Sequence, residues 1–278
     1  MRARALLAAG ALAALPACGS PTSPAEPGAP SPGWTLTWSD EFDGPPGALP
    51  DAARWVHDVG GHGWGNQELQ TYTDRGRNAS LGGDGTLQIR AFAEDFVGAD
   101  GVRRAYTSAR LKTLGRFDQA YGRFEARLRL PAGQGLWPAF WMMGADIEEV
   151  GWPRCGEIDV MEHLGGDPTL VHAAVHAPLG SRDFRSASGT FTMPGGVSNA
   201  FHVYAVEWEP GVIRFLADGI LYRTVVPQDL APGAWVFDKP FFILLNVAVG
   251  GVWGGPPDGS TVFPQQMAVD YVRVYRRG

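Results

Sequence analysis

The sequence predicts an all-β protein, an antiparallel β-sandwich built as one large domain. Three observations carry this expectation. Apolar and polar residues alternate with period two along several segments, and no window holds a convincing helical period. Glycine (38 residues) and proline (22) supply turns at short intervals. At 278 residues and 45% hydrophobic, the chain is long enough to bury a sizeable core, and sandwiches of this length occur as one domain.

The chain opens "MRARALLAAGALAALPACGS", with a basic start, an apolar run over residues 5–15 and a small-residue end. Residues 1–18 read as a secretory leader, because the apolar run is too short to span a membrane. The stretch Leu15 to Cys18, "LPAC", has the form of a bacterial lipoprotein box with Cys18 as the acylated residue. Ordinary cleavage near Ala17, releasing a soluble protein, is the alternative. Residues 19–33, "GSPTSPAEPGAPSPG", hold no core residues and read as a tether. The folded domain is expected over 34–278. The protein is expected to be exported from a bacterial cell, then lipid-anchored at the surface or secreted.

Strands follow in order. "TLQIRAFA" (86–93) alternates well. In "YGRFEARLRL" (121–130), Phe124, Ala126, Leu128 and Leu130 share one face and Arg123, Glu125, Arg127 and Arg129 the other. "FHVYAVEWE" (201–209), "VIRFLADGILYRTV" (212–225) and "VDYVRVYRR" (269–277) keep the same period, and "ADG" at 217–219 reads as a hairpin turn. "PFFILLNVAVGG" (240–251) is nearly all apolar, as in a central strand, and Asn246 interrupts it. Asn246 either satisfies local backbone groups or points into a cleft. Short helical turns are expected near 51–55 and 227–231. Cys155, the one cysteine besides Cys18, reads as a small buried apolar residue.

Residues 156–163, "GEIDVMEH", carry Glu157, Asp159 and Glu162 on an otherwise apolar strand. Acids are rarely buried without partners, so this clustering needs a reason. An exposed acidic face is one. A metal site is another, although calcium collects six to eight oxygens, mostly from loops. A glycosidase pair is the third: retaining hydrolysis needs one nucleophilic and one proton-donating carboxyl close together. Strict alternation puts Glu157 and Asp159 on one face and Glu162 on the other. A β-bulge near Val160–Met161 would return Glu162 to the face of the other two.

These residues bring a family into view. "WSDEFDG" (38–44), "NQELQTYT" (66–73), "TSARLKT" (107–113), "GLWPAFWMMG" (135–144), "WPRCGEIDVMEHLG" (152–165), "FHVYAVEWEP" (201–210) and "LNVAVGG" (245–251) resemble glycoside hydrolase family 16, in that family's order. The extra residue in Glu-x-Asp-x-x-Glu is similar to its laminarinase-like, endo-β-1,3-glucanase branch. The resemblance implies a jelly-roll sandwich with a concave substrate cleft. It implies Glu157 as nucleophile, Glu162 as general acid/base and Asp159 as the group that holds the pair in opposite protonation states.

The resemblance places Trp137 and Trp141 in the cleft, where sugar C–H faces suit aromatics; core packing is the alternative. Trp253 is a similar candidate and Trp64 a weaker one. Asn66, Glu68 and Arg110 match polar positions of the family's cleft, with a structural ion pair as the other reading of Arg110. His163 is a candidate to bond Asp159, Glu162 or substrate, or a satisfied structural histidine. His176 sits where the family often has His-Gly, and Ala177 departs from that pattern. The resemblance also implies a structural Ca²⁺ on the convex side, held by Asp270, Glu41 and backbone carbonyls near Gly83. No cofactor is implied for the chemistry.

Composition narrows the partners. The formal charge is −6, and loss of Arg2 and Arg4 with the leader makes it more negative. This argues against nucleic acid and leaves no basic stripe for a membrane surface. A lipid on Cys18 would be the one membrane attachment. The ten tryptophans favour a sugar-binding surface. The expected partner is a polysaccharide and the expected state a monomer. The favoured activity is retaining endo-hydrolysis of β-1,3-glucan. The rivals are a mixed-linkage β-glucan or a β-galactan such as agarose as substrate, and a non-catalytic glucan-binding module.

Overall fold

The structure, a computed structural model, describes residues 33–180 and 183–278. The leader, Cys18 and the tether up to residue 32 lie outside the described residues. In chain order the strands are β1 (Trp34–Asp40), β2 (Val56–Asp58), β3 (Gln70–Tyr72), β4 (Ala79–Leu81), β5 (Leu87–Val97), β6 (Arg103–Ser108), β7 (Arg110–Lys112), β8 (Gly122–Arg129) and β9 (Leu136–Gly144). There follow β10 (Glu157–Glu162), β11 (Leu170–Leu179), β12 (Asp183–Thr192), β13 (His202–Glu209), β14 (Val212–Ala217), β15 (Ile220–Val225), β16 (Phe241–Val249) and β17 (Gln265–Arg277). Only two four-residue helices interrupt them among the described residues, α1 (Ile147–Val150) and α2 (Gly251–Gly254), with one 3₁₀ turn at Pro227–Leu230. Both expected turns are therefore present, 227–231 as the 3₁₀ turn and 51–55 as a single hydrogen-bonded turn too short to make a helix. In the latter the Asp51 carbonyl accepts from both Arg54 N and Trp55 N (2.9 Å each), and its carboxylate accepts from Ala53 N.

Two sheets stack as a sandwich. One runs β15-β14-β13-β8-β17-β5-β6-β3, with β1 on β17 and β4 on β5. The other, of seven strands, runs β12-β11-β10-β9-β16-β7-β2. All pairs are antiparallel except β3 with β6. The β14–β15 hairpin turns at Asp218 and Gly219, both at positive φ, the conformation a two-residue type I′ turn requires.

Alternation decides which side chains meet between the sheets. From the larger sheet come Phe124, Ala126 and Leu128 of β8 and Val206 and Trp208 of β13; from the smaller come Phe140 and Met142 of β9 and Ile243, Leu245 and Val247 of β16. Every residue of β16 is buried, as a central strand demands. The polar face of β8 is less solvated than alternation implies. Arg123 and Glu125 are buried, and Arg123 pairs with both Glu125 (2.7 Å) and Glu207 (2.9 Å).

Candidate active site

The outer face of the smaller sheet carries the acids. On β10, Ile158, Val160 and Met161 all enter the core, while Glu157, Asp159 and Glu162 point outward. The ladder shows how. Against β9, Glu157 faces Met143, Asp159 faces Trp141 and Glu162 faces Ala139. Against β11 the same acids face His176, Ala174 and His172. Both registers shift between Asp159 and Glu162, so the bulge lies at Val160–Met161. The residues opposite Glu162 on β9 and Asp159 on β11 are the small Ala139 and Ala174. Gly156 starts the strand at positive φ (77°), and a Cβ there would lie 2.9 Å from Val236 and 3.0 Å from Phe241.

Each glutamate is held by its own tryptophan. Trp137 Nε1 donates to Glu162 Oε1 (2.9 Å) and Trp152 Nε1 to Glu157 Oε2 (2.7 Å). Burial pushes the Glu162 carboxyl well above the usual range, and the neighbouring charges of Asp159 and Glu157 push it further. Asp159 is raised too, by burial and then by Glu157, with which it shares a hydrogen bond. His176 Nε2 lies 3.0 Å from Asp159 Oδ2, and Ser186 Oγ is 2.7 Å from His176 Nδ1.

Aromatic rings flank the acids on both sides. Trp137 and Trp141 share the outer face of β9, whose register Pro138 leaves intact. Trp253, 41% exposed, packs edge-on against Trp137 (5.3 Å) and His172 (4.8 Å). Beyond Glu157, Trp152 and Phe184 are both exposed with their rings 4.9 Å apart. Trp152 was visible in the sequence only as part of a motif, with no role attached.

Several expected sugar contacts are supports instead. Asn246 Oδ1 accepts from Trp141 Nε1 (2.7 Å), and its Nδ2 donates to the Tyr72 hydroxyl (3.1 Å). Tyr72 in turn bonds Glu68, which also accepts from Gln70 Nε2 (2.5 Å) and Asn66 Nδ2 (3.5 Å). Asn246 and Glu68 are buried, so they fix Trp141 from below rather than line the cleft. Asn66 is half-buried, and its carbonyl accepts from Val252 N (2.8 Å), which ties down the turn bearing Trp253. His163 is fully buried, with Nδ1 2.8 Å from the Leu170 carbonyl, so it is placed as a structural histidine and not as a substrate contact.

Arg110 takes the ion-pair alternative. Its Nε lies 2.9 Å from Asp58 Oδ2, and Lys112 holds the other oxygen at 2.7 Å. Its guanidinium sits between the rings of Trp64 (4.8 Å) and Trp141 (4.6 Å). Together with Asp58, Lys112 and Trp64 it lines a cavity of about 250 Å³ at the β7 end of this face.

The calcium residues do not fit the ion as arranged. Both oxygens of Glu41 are taken by Arg273, at 3.0 and 2.8 Å, and Asp270 Oδ2 is held by Arg127 at 2.6 Å. Two guanidiniums already neutralise the two carboxylates that a dication would need.

A comparison with known families decides what kind of site this is. The profile of glycosyl hydrolases family 16 matches residues 64–273. The chain belongs to this family. A β-glucanase of Rhodothermus marinus is 48% identical over 256 residues, covering 88% of this chain and 86% of that protein. A glucan endo-1,3-β-glucosidase of Cryptopygus antarcticus is 42% identical, with 81% and 84% covered. Among solved structures, the endo-β-1,3-glucanase of Pyrococcus furiosus superposes with a TM-score of 0.82 at 42% identity, covering 88% of this chain and 95% of that one. As a member of family 16, the chain is a glycoside hydrolase with the jelly-roll sandwich of that family.

Proposed function

We propose that the protein cleaves internal linkages of β-1,3-glucan with retention of anomeric configuration. The observation that carries this reading is the pairing of Glu157 and Glu162 on one face in unlike surroundings. Burial and two neighbouring acids resist ionisation of Glu162 and favour its proton-bearing form. Glu157 is partly open to the cleft and accepts from Trp152.

The chemistry follows from that difference. Glu157 attacks the anomeric carbon while Glu162 gives its proton to the leaving glycosidic oxygen, and a covalent glycosyl-enzyme forms. Glu162, now ionised, takes a proton from water, which attacks the same carbon and releases Glu157. Two inversions give net retention. Asp159 donates its hydrogen bond to Glu157 and steadies the nucleophile between the two steps. Trp137, Trp253 and Trp141 offer flat apolar faces to the sugar rings on either side. The relatives named above as glucanases support β-1,3-glucan as the substrate.

Product analysis on laminarin, mixed-linkage β-glucan and agarose tests the reading. A ladder of oligosaccharides from laminarin, first released as the β-anomer, is expected. No sugar from laminarin would end it, and sugar from agarose alone would move the substrate to β-galactan. Binding to insoluble glucan with no release from any substrate would point to a non-catalytic module.

The same reading extends to the cell. Residues 1–18 serve as the export signal with its lipid site at Cys18, so the enzyme works outside the cytoplasm, lipid-anchored at the cell surface. Mass spectrometry of the N-terminal peptide tests this. An unmodified terminus near Ala17 would mean a secreted soluble enzyme.

A further inference from the structure

Glu157, Asp159 and His176 bring one donor atom each within 4.8 Å of one another. Two details give this cluster the form of a ligand set. Asp159 is only 2% exposed, and its Oδ2 has no hydrogen bond of good geometry, its one close polar neighbour being His176 Nε2. That oxygen and His176 Nε2 stand 3.0 Å apart. Two donors on a tetrahedral ion, each about 2.0–2.1 Å from it, stand roughly 3.3 Å apart. The imidazole is held from behind, since Ser186 Oγ lies 2.7 Å from Nδ1. A proton on Nδ1, donated to that hydroxyl, leaves the Nε2 lone pair facing the carboxylates. Ladder pairing fixes the rest: His176 is opposite Glu157 on one side and Ser186 on the other.

We propose that these three side chains form a binding site for a borderline transition-metal dication such as Zn²⁺, and that its occupancy blocks glucan hydrolysis. One imidazole and two carboxylates suit zinc, whereas calcium and magnesium prefer more ligands and oxygen alone. The fourth position opens toward the cleft. The ion engages the lone pairs with which Glu157 would attack, so metal and glucan exclude each other. The blocking half of the proposal rests on the role given above to Glu157; the binding half does not.

The test is calorimetric titration of the purified protein with ZnCl₂ at pH 7, with laminarin hydrolysis followed in parallel. One ion per chain is expected, with hydrolysis lost on addition and restored by EDTA. His176→Ala should abolish binding. Ser186→Ala, which keeps all three ligands, should weaken it about 10-fold to 100-fold. His172→Ala, on the same strand, should bind zinc as before. Melting curves show that each variant is folded. Undiminished binding in His176→Ala, or no binding to the parent protein, would overturn the site. Binding with the expected dependence alongside unaffected hydrolysis would uphold the site and overturn Glu157 as nucleophile. A protein with no activity on laminarin would refute the glucanase reading alone, because the calorimetry still decides the metal.

Discussion

Trp137 and Glu162 meet through one hydrogen bond, indole Nε1 to Oε1 at 2.9 Å, and the donor is the indole. The Glu162 proton therefore belongs on the other oxygen, free to be given away. Glu162→Gln keeps an acceptor for Trp137 but cannot donate an acidic proton. Turnover of laminarin should fall about 10²- to 10⁴-fold. Aryl glycosides with a good leaving group need no proton to depart, so their burst of phenol should survive in this variant. Glu157→Gln should lose both reactions. Stopped-flow release of the aryl group separates the two glutamates, and a normal steady-state rate in either variant would refute its assigned role.

Stability should depend on the same carboxyl. An unfolded glutamate titrates at about 4.3, and the folded Glu162 titrates well above its ordinary value. Below both values each state holds the proton and the group contributes nothing to pH dependence. As pH rises through the window between them, the unfolded chain loses its proton first, and stability falls. Glu162→Gln should thus melt higher than the parent at pH 8, by about 2–4 °C for each kcal/mol relieved. The gain should vanish at acid pH. A higher melting point at pH 4 alone would contradict the sign.

Trp152 should matter to rate more than to folding. Its ring is 45% exposed, but its N–H reaches Glu157. Trp152→Phe keeps the ring against Phe184 and deletes that bond. A hydrogen bond to a charged group contributes about 1.5–3 kcal/mol, so kcat/KM should fall at least about tenfold with little change in melting temperature. An unchanged kcat/KM would mean that the bond does not persist when glucan binds.

Asn246→Ala should do the reverse. It strands the Trp141 indole and removes a donor to the Tyr72 hydroxyl in a buried place. The expected cost is about 1–3 kcal/mol of stability, read in urea melts, with a raised KM as Trp141 loosens.

Chelation should leave the melting temperature within about a degree, since arginines occupy the carboxylates in question. A clear drop with EDTA, reversed by calcium, would restore the calcium site.

The sequence made the sandwich legible because alternation reports directly which side chains face inward. It did so for β8 and β13, the nearly all-apolar run marked β16 as central, and the acids located the irregularity in β10 because all three had to be reconciled with one face. Burial of polar residues was harder to read. Nothing local separates an asparagine that touches sugar from Asn246, whose partners lie on β9 and β3. Arg110 likewise depended on Asp58, which only the β2–β7 pairing brings near. Trp152 was missed because it sits in an irregular loop, where periodicity carries no information about direction.

The bulge in β10 has a consequence for length. Between Glu157 and Glu162 the chain takes five steps, but the facing strand takes only four, from Met143 to Ala139. Removing Met161 would leave four steps against four, an even number, so Glu162 would still face the cleft and the flanking ladder would stay in phase. The missing thioether would leave a core void, at a cost of about 2–5 kcal/mol. A single-codon deletion here should therefore be survivable, whereas one between Glu157 and Asp159 would turn a carboxylate into the core. At this point the strand tolerates two lengths of gene for one arrangement of acids.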